Sequence, residues 1–302
     1  MTKVRIIIIS AVIVALLVGA VGLNFYFRPS IDFGEIVIDN IPEKAEGTTR
    51  IMSFNVRRKN DPQGSVSNRS QIVTAIIEQY APDSFGVQEA TPRWLSIIDN
   101  AVGDKYARVG RSRDLYGPFG EYACVYYLRD KYELLDSGTF WLSETPDKPY
   151  TKSFDSLCLR AASWAMLKDK QTGLVYTHVN SHLDHGKEYT RVGQADVLMS
   201  KMAEFRKQGN VCLTIDLNTY VDSDVYASVT DQLDDAGAIA VNTMGGITYH
   251  SYGRKEDKGQ GPIDFVFTTK GTKVDTYKII TDTVKGMYPS DHYPIIADLY
   301  FE

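Results

Sequence analysis

The sequence predicts an α+β domain in which two β-sheets pack face to face, and three observations carry that expectation. Many short apolar runs have the two-residue period of strands, and the few segments of helical period do not alternate regularly with them. A 302-residue chain that is 43% hydrophobic and 11% aromatic also has enough apolar surface for a large core. A doubly wound nucleotide-binding sheet is excluded, because no glycine-rich strand-to-helix turn occurs. Neither an internal repeat nor a low-complexity tract is present.

Taken in order, the chain opens with residues 1–5, which carry Lys3 and Arg5, followed by an uncharged run from Ile6 to Leu23 and then Asn24-Phe25-Tyr26-Phe27. At about 1.5 Å per residue, 6–27 is long enough to cross a hydrocarbon core of about 30 Å as one transmembrane helix. Lys3 and Arg5 before it, and Asp32, Glu35 and Asp39 after it, place the N-terminus in the cytoplasm and the rest outside the cell membrane. The rival reading is a signal peptide cut after Val18-Gly19-Ala20, which would make the protein secreted. The run exceeds the ~7–15 residues of a typical signal core, which favours the anchor. Residues 28–48, with Pro29, Gly34, Pro42 and Gly47, form a linker with one short strand at Glu35-Ile36-Val37-Ile38.

The folded domain is expected over 49–302. Arg50 to Val56 alternates as a strand with Met52, Phe54 and Val56 on one face and Ser53 and Asn55 on the other. Ile72, Val73, Ile76, Ile77 and Tyr80 have helical spacing and end before Pro82; Phe85 to Glu89 is a second strand, and a second helix starts near Pro92. Strands follow at Tyr122–Leu128, Thr139–Leu142, Ala162–Leu167 and Leu174–Asn180. A long helix then buries Val192, Ala195, Leu198, Met202 and Phe205 and closes on Gly209. Val211–Ile215, Ile263–Phe267 and Tyr293–Leu299 complete the strands.

The formal charge is −5, and beyond residue 28 the chain holds 30 basic against 38 acidic residues, a net of −8. Long-range steering toward a polyanion is therefore absent, and any phosphate must be held by local cations or a metal. Cys124, Cys158 and Cys212 have no zinc-site spacing and read as inert thiols.

Asn55, Glu89, Asn180, His182, Asp216, Asn218, Asp264, Asp291 and His292 all sit at or just past an apolar run. A strand has no need of such residues at its end. Glu89, after Phe85-Gly86-Val87, would cost several kcal/mol if buried unpaired, so it needs a cation. An ion pair with Arg57 or Arg93 is the structural alternative; Mg²⁺, which takes oxygen ligands and needs only one or two carboxylates, is the better fit. A period of two puts His178, Asn180 and His182 on one face. His178 and His185 are expected to be structural, with His250 unassigned. Asp216-Leu217-Asn218 could be an Asx turn, or a carboxylate that polarises water beside an amide that orients it. Ser290-Asp291-His292 has the composition of an ordinary turn before an edge strand and gains meaning only beside the others.

In this order, Ser53-Phe54-Asn55, Gln88-Glu89, Gly120-Glu121-Tyr122, Asn180 to Leu183, Asp216-x-Asn218, Ile263-Asp264-Phe265 and Ser290-Asp291-His292 resemble the motifs of the endonuclease/exonuclease/phosphatase superfamily. That metal-dependent group includes deoxyribonucleases, abasic-site endonucleases, sphingomyelinases and inositol polyphosphate 5-phosphatases. Gly138 to Pro146 also resembles a segment typical of one bacterial branch. One departure is Ile215, where the superfamily usually has glycine before the aspartate.

The resemblance implies a four-layer sandwich, two packed mixed β-sheets flanked by helices. It implies Glu89 as main metal ligand with Asn55 and Asp291 nearby, and Arg160 and Asn180 as substrate contacts. Glu121 would orient His182, and Asp264 would orient His292. Asp216 and Asn218 would activate the attacking water or steady the transition state. The expected activity is hydrolysis of a phosphodiester with Mg²⁺, or Mn²⁺ in its place, by in-line attack of water. The substrate is expected to be nuclease-like, with phospholipid, inositol phosphate or another small phosphate as the alternative and a non-catalytic binding module less favoured. No obligate protein partner is expected; the membrane contact is the N-terminal helix.

Overall fold

Strand alternation and helix caps set the elements, and the computed structural model describes them for residues 31–61, 63–117 and 120–302. The apolar segment 6–27 lies outside the described residues; among those described, no helix is long and apolar enough to cross a membrane. The chain divides into two units, Met1–Gly34 and Glu35–Glu302. In the first, Gly34 N–H closes a turn on Asp32 Oδ1 at 2.8 Å.

In the second unit the order is β1 (Thr49–Asn55), α1 (Val66–Tyr80), β2 (Ser84–Ala90), α2 (Pro92–Val102), β3 (Tyr106–Val109), β4 (Tyr122–Leu128), β5 (Tyr132–Trp141), β6 (Ala161–Asp169) and β7 (Val175–His182). There follow α3 (Glu188–Phe205), β8 (Asn210–Asp216), α4 (Asp224–Gln232), β9 (Leu233–Asp235), α5 (Ala236–Ile239), β10 (Asn242–Met244), β11 (Asp264–Thr269), β12 (Lys273–Ile279) and β13 (Ile295–Tyr300). A seven-stranded sheet runs β10-β12-β13-β1-β2-β4-β3, and a six-stranded sheet runs β5-β6-β7-β8-β11-β9. Both are mixed: β1/β2, β10/β12 and β7/β8 are parallel among antiparallel neighbours. Parallel neighbours need a crossover, and α1 and α3 supply it for β1/β2 and β7/β8.

One core lies between the sheets, where Ile51, Val125, Ile295 and Leu299 meet Ala165, Leu167 and Val266. A second lies under α3, whose Ala195, Leu198, Met202 and Phe205 cover Val179, Leu213, Ile215 and Phe265. Ile215, the departure noted above, therefore points into this helix-facing core. α2 packs on α1 and on β2, so helices cover the outer faces and the expected layering is found.

Several boundaries differ from the sequence pattern. Helix α1 starts before Ile72, because the Ser65 side chain caps it by accepting from Asn68 N–H; it ends at Ala81 in the left-handed region (φ 45°). Helix α3 ends at Phe205 and not at Gly209. The strand expected at Glu35–Ile38 does not form. Gln79 replaces a pairing partner, its amide accepting from Ile38 N–H and donating to Ile36 C=O. This part of the expected linker thus belongs to the second unit. Strand β5 begins at Tyr132, seven residues before its apolar end, because its first half is exposed and carries no alternating signal.

Between the sheets runs a line of buried polar groups. Ser84 Oγ meets His178 Nδ1 (2.8 Å), His178 Nε2 meets Thr214 Oγ1 (2.9 Å), and Thr214 Oγ1 donates to Asn180 Oδ1 (2.9 Å). Gln88 Nε2 also donates to Asn180 Oδ1 (2.7 Å), while Asn180 Nδ2 donates to Val87 O and Cys124 O (both 2.9 Å). His178 is structural as expected, and burial holds its pKa down at about 3. Gly86 makes this approach possible: a Cβ there would stand 2.1 Å from Thr214 Oγ1 and 2.4 Å from Asn180 Oδ1. Gly86→Ala is accordingly expected to lower stability by about 1–3 kcal/mol, measured by urea denaturation; an unchanged midpoint would show that the sheets tolerate wider spacing there.

Candidate active site

The polar residues of the strand ends converge because the register aligns them. Parallel pairing of β7 with β8 sets His182 beside Asp216, and antiparallel pairing of β11 with β8 sets Asp264 on its other side. From the facing sheet, β1 ends in Asn55, and β2 carries Glu89 just before its last residue. Glu89 occupies the left-handed region (φ 57°), where the β2/β4 register slips between Val87 and Ala90. A bulge re-aims a side chain that regular alternation would send to one face of the sheet, and such strained residues gather at functional sites.

On one side of the site, Glu89 and Asp291 flank the Arg57 guanidinium, at 4.0 Å and 3.4 Å. Of the two structural partners considered for Glu89, Arg57 is present at this distance, whereas Arg93 turns to Ser67. Burial opposes the charge on Glu89, but Arg58 N–H at 3.0 Å and the charges of Arg57, His292 and Arg160 outweigh it, so its pKa lies below the usual carboxylate value. A pair of carboxylates already gathered around a cation fits a hard divalent ion. Asn55 adjoins that position. Its amide donates to Asp216 Oδ2 (2.9 Å) and approaches Glu89 Oε1 (3.4 Å), while its oxygen accepts from Arg57 N–H. Expected near the metal ligand, Asn55 does stand beside Glu89, where it also spaces that carboxylate from Asp216. Asp216, Asp264 and His292 also bring possible ligand atoms within 4.8 Å of one another. There, however, His292 Nδ1 is 2.8 Å from Asp264 Oδ2, the geometry of a hydrogen-bonded pair.

That pair is the orientation expected for His292. Burial by itself disfavours its charge, yet Asp264, Asp216 and Asp291 raise its pKa to about 10. Asp216 is lifted to about 7 by burial and by Asp264. The second expected pair does not form. Glu121 Oε1 is 4.0 Å from His182 Nδ1, because Arg113 takes Oε1 and Arg58 takes Oε2 (3.2 Å). His182 is held instead by Asn218 Nδ2 at 2.7 Å from its Nε2. Burial and the charges of Arg160 and Arg113 push its pKa well down, so it is neutral.

Asn180 is not a substrate contact. It is fully buried between the sheets, with its amide spent on the four bonds described above. Arg160 does reach the cavity, and its Nε and Nη1 have no hydrogen-bond acceptor among the described residues although the side chain is buried. The cavity measures about 400 Å³ and is also lined by Arg57, Arg58, Lys59, Arg113, Cys158, His185 and Tyr249. His185, expected to be structural, accepts from Arg160 Nη2 at 3.2 Å. The basic run Arg57-Arg58-Lys59 directly after the first strand was a legible signal. Arg113, in a loop of mixed composition, gave none.

Arg69 of α1 organises the loops on the Asp291 side. It is fully buried, and its guanidinium donates to five carbonyls, those of Val56 (2.9 Å), Pro289 (2.9 Å), Arg57 (3.0 Å), Lys59 (2.8 Å) and Gly64 (3.4 Å). One side chain thus ties the segment after β1 to the turn that carries Asp291 and His292.

Comparison with known proteins adds to this geometry. The model of the endonuclease/exonuclease/phosphatase family matches residues 52–292. No curated protein matches by sequence. Among solved structures, an endonuclease/exonuclease/phosphatase from Bacteroides vulgatus is 34% identical, with 84% of this chain and 99% of that one covered and a TM-score of 0.78. A mannosyl-6-phosphatase from Bacteroides thetaiotaomicron is 28% identical over 83% of this chain and 99% of that one, at a TM-score of 0.76. D. rerio TDP2 complexed with a single-strand DNA product is 16% identical over 84% and 99%, at 0.65, a likeness of fold alone.

Arg69→Met leaves five buried carbonyls short of a donor and is expected to cost about 3 kcal/mol or more, read by urea denaturation. Near-native stability would remove Arg69 from this role. Asp264→Asn removes the largest charge that raises His292, so the His292 titration followed by NMR should move down from about 10 toward its ordinary value; an unmoved titration would contradict the pairing.

Proposed function

The chain belongs to the endonuclease/exonuclease/phosphatase family of phosphoester hydrolases, and we propose that it hydrolyses compact phosphoesters with Mg²⁺ or Mn²⁺ held by Glu89 and Asp291. The observation that carries this reading is the cavity itself: about 400 Å³, with five Lys or Arg side chains on its wall and buried Arg160 N–H groups lacking acceptors, in a chain of net charge −5. A compact anion can use such a cavity. A polynucleotide, favoured from the sequence motifs, would gain most from a basic track extending beyond it. The likeness to a mannosyl-6-phosphatase supports the same preference.

When bound, the divalent ion would neutralise charge on the phosphoryl oxygens. The remaining work falls to the chain. Arg160 grips the phosphoryl group through Nε and Nη1, as guanidinium donors do well. His292, with Nδ1 on Asp264, presents Nε2 to the same oxygens. Asp216, fixed by Asn55 and by Asn218 N–H (2.8 Å), accepts a proton from the attacking water. The new oxygen–phosphorus bond forms on the Asp216 side. The ester oxygen leaves on the side of Glu89, which Asn55 separates from Asp216.

The full-length chain with Mg²⁺ or Mn²⁺ is expected to release phosphate from sugar and aryl phosphates, and EDTA should stop it. DNA or RNA as the sole substrate would return the nuclease reading, sphingomyelin alone would favour a lipid substrate, and no EDTA-sensitive turnover of any of these would refute the hydrolase. Asp216→Asn and His292→Gln should each lower kcat/KM about 10²–10⁴-fold with circular dichroism unchanged.

A further inference from the structure

We propose that Arg113 is a second phosphoryl-binding guanidinium, presented beside Arg160 by the Gly138–Pro146 segment, and that it fits the cavity to a phosphomonoester dianion. The inference rests on the phosphoester reading above.

Arg113 lies in the loop between β3 and β4, and its backbone is pinned on both sides. Its N–H donates to Glu121 O at 2.9 Å, and its carbonyl accepts from the buried Trp141 indole N–H at 2.8 Å. Nearby, Arg111 N–H donates to Thr139 Oγ1 at 3.1 Å. Thr139 and Trp141 belong to the Gly138–Pro146 segment, whose own loop is closed by Trp141 N–H on Pro146 O (2.8 Å). The motif thus acquires a physical task, holding the Arg113 loop against the cavity.

The guanidinium is also preset. Its Nη1 pairs with Glu121, while Nε is buried and has no hydrogen-bond acceptor among the described residues. Asp114 Oδ2 is 3.7 Å from that Nε, too far to accept. Arg160 is in the same state: Asp184 Oδ2 stands 3.9 Å from its Nε but is spent on Ser156 Oγ (2.8 Å) and Cys158 N–H (3.1 Å). Two buried guanidinium groups, both facing the cavity and both with unspent N–H groups, need an acceptor with several oxygens. After burial, the Arg113 charge is the strongest influence lowering the Arg160 pKa, a measure of how close the two cations stand.

A phosphomonoester answers both needs. With a second pKa of about 6 it carries nearly two charges at neutral pH and offers three non-bridging oxygens. A diester carries one charge and offers two such oxygens. Two guanidinium groups side by side therefore favour the monoester, and a divalent ion held by Glu89 and Asp291 would add to that preference.

The test uses the full-length protein with Mn²⁺, calorimetric titration with inorganic phosphate, and kcat/KM on p-nitrophenyl phosphate and bis(p-nitrophenyl) phosphate. Arg113→Gln should weaken phosphate binding and monoester kcat/KM at least about tenfold and change diester kcat/KM little. Arg113→Lys keeps a charge for Glu121 but not the fork, and should not restore phosphate affinity. Trp141→Phe removes the indole N–H and should shift phosphate affinity the same way, by less. Wild-type phosphate affinity in Arg113→Lys, or equal losses on both esters in Arg113→Gln, would overturn the proposal. Arg113-dependent phosphate binding without turnover of either ester would support the Arg113 site while refuting the hydrolase reading.

Discussion

The site exists because two sheets are held at one spacing and in one register, and the Asn180 carboxamide fixes both. It joins Gln88, Val87 and Cys124 of one sheet to Thr214 of the other. Neither sheet carries a complete site: Asn55, Glu89, Asp291 and His292 come with the first, and His182, Asp216 and Asp264 with the second. A buried amide with all its bonds made is tolerated only in one arrangement, since any slip leaves polar groups unpaired in a dry layer. Hydrophobic packing around it stabilises the sandwich without choosing the register. The bare Cα of Gly86 allows the sheets to approach closely enough for the amide to reach.

Charge is distributed with similar economy. The chain is acidic overall, yet its cavity collects Arg57, Arg58, Lys59, Arg113 and Arg160. Burial disfavours the charge on carboxylates in such a place, as the raised Asp216 shows, and three others are held by specific partners. Asp264 is paired with His292, Glu121 with Arg113 and Arg58, and Glu89 with the Arg58 backbone N–H. The two histidines consequently diverge. His292 sits among three carboxylates and is charged, while His182 sits among arginines and is neutral. Similar side chains acquire different roles from their surroundings.

Arg69 shows how a residue outside the cavity constrains it. Among the described residues it has no carboxylate partner in hydrogen-bond reach, and it spends its donors on the backbone of two loops, one leading from Asn55 and the other leading to Asp291. Its ring neighbours, Trp94 at 5.3 Å and Tyr252 at 6.0 Å, close the remaining faces. The loops can therefore be irregular, as the convergence of Glu89 and Asp291 on Arg57 requires, without being loose.

The sequence by itself determined the strand-rich α+β class and the strand ends that carry polar groups, because residue type and period are local properties; the Asp264–His292 pairing was implied only by the family resemblance. The C-terminal turn at Asp291 and His292 and the long helix α3 were legible for that reason. Only the tertiary structure decided which polar residue faces the cavity. A period of two puts His178, Asn180 and His182 on one face, but it says nothing of distance from the sheet edge; only His182, the last residue of β7, reaches the site. Glu121 looked free to orient a histidine until Arg113 and Arg58, distant or unremarked in sequence, arrived to claim both its oxygens. Partners of this kind are set by the packing of two sheets, and no local pattern encodes them.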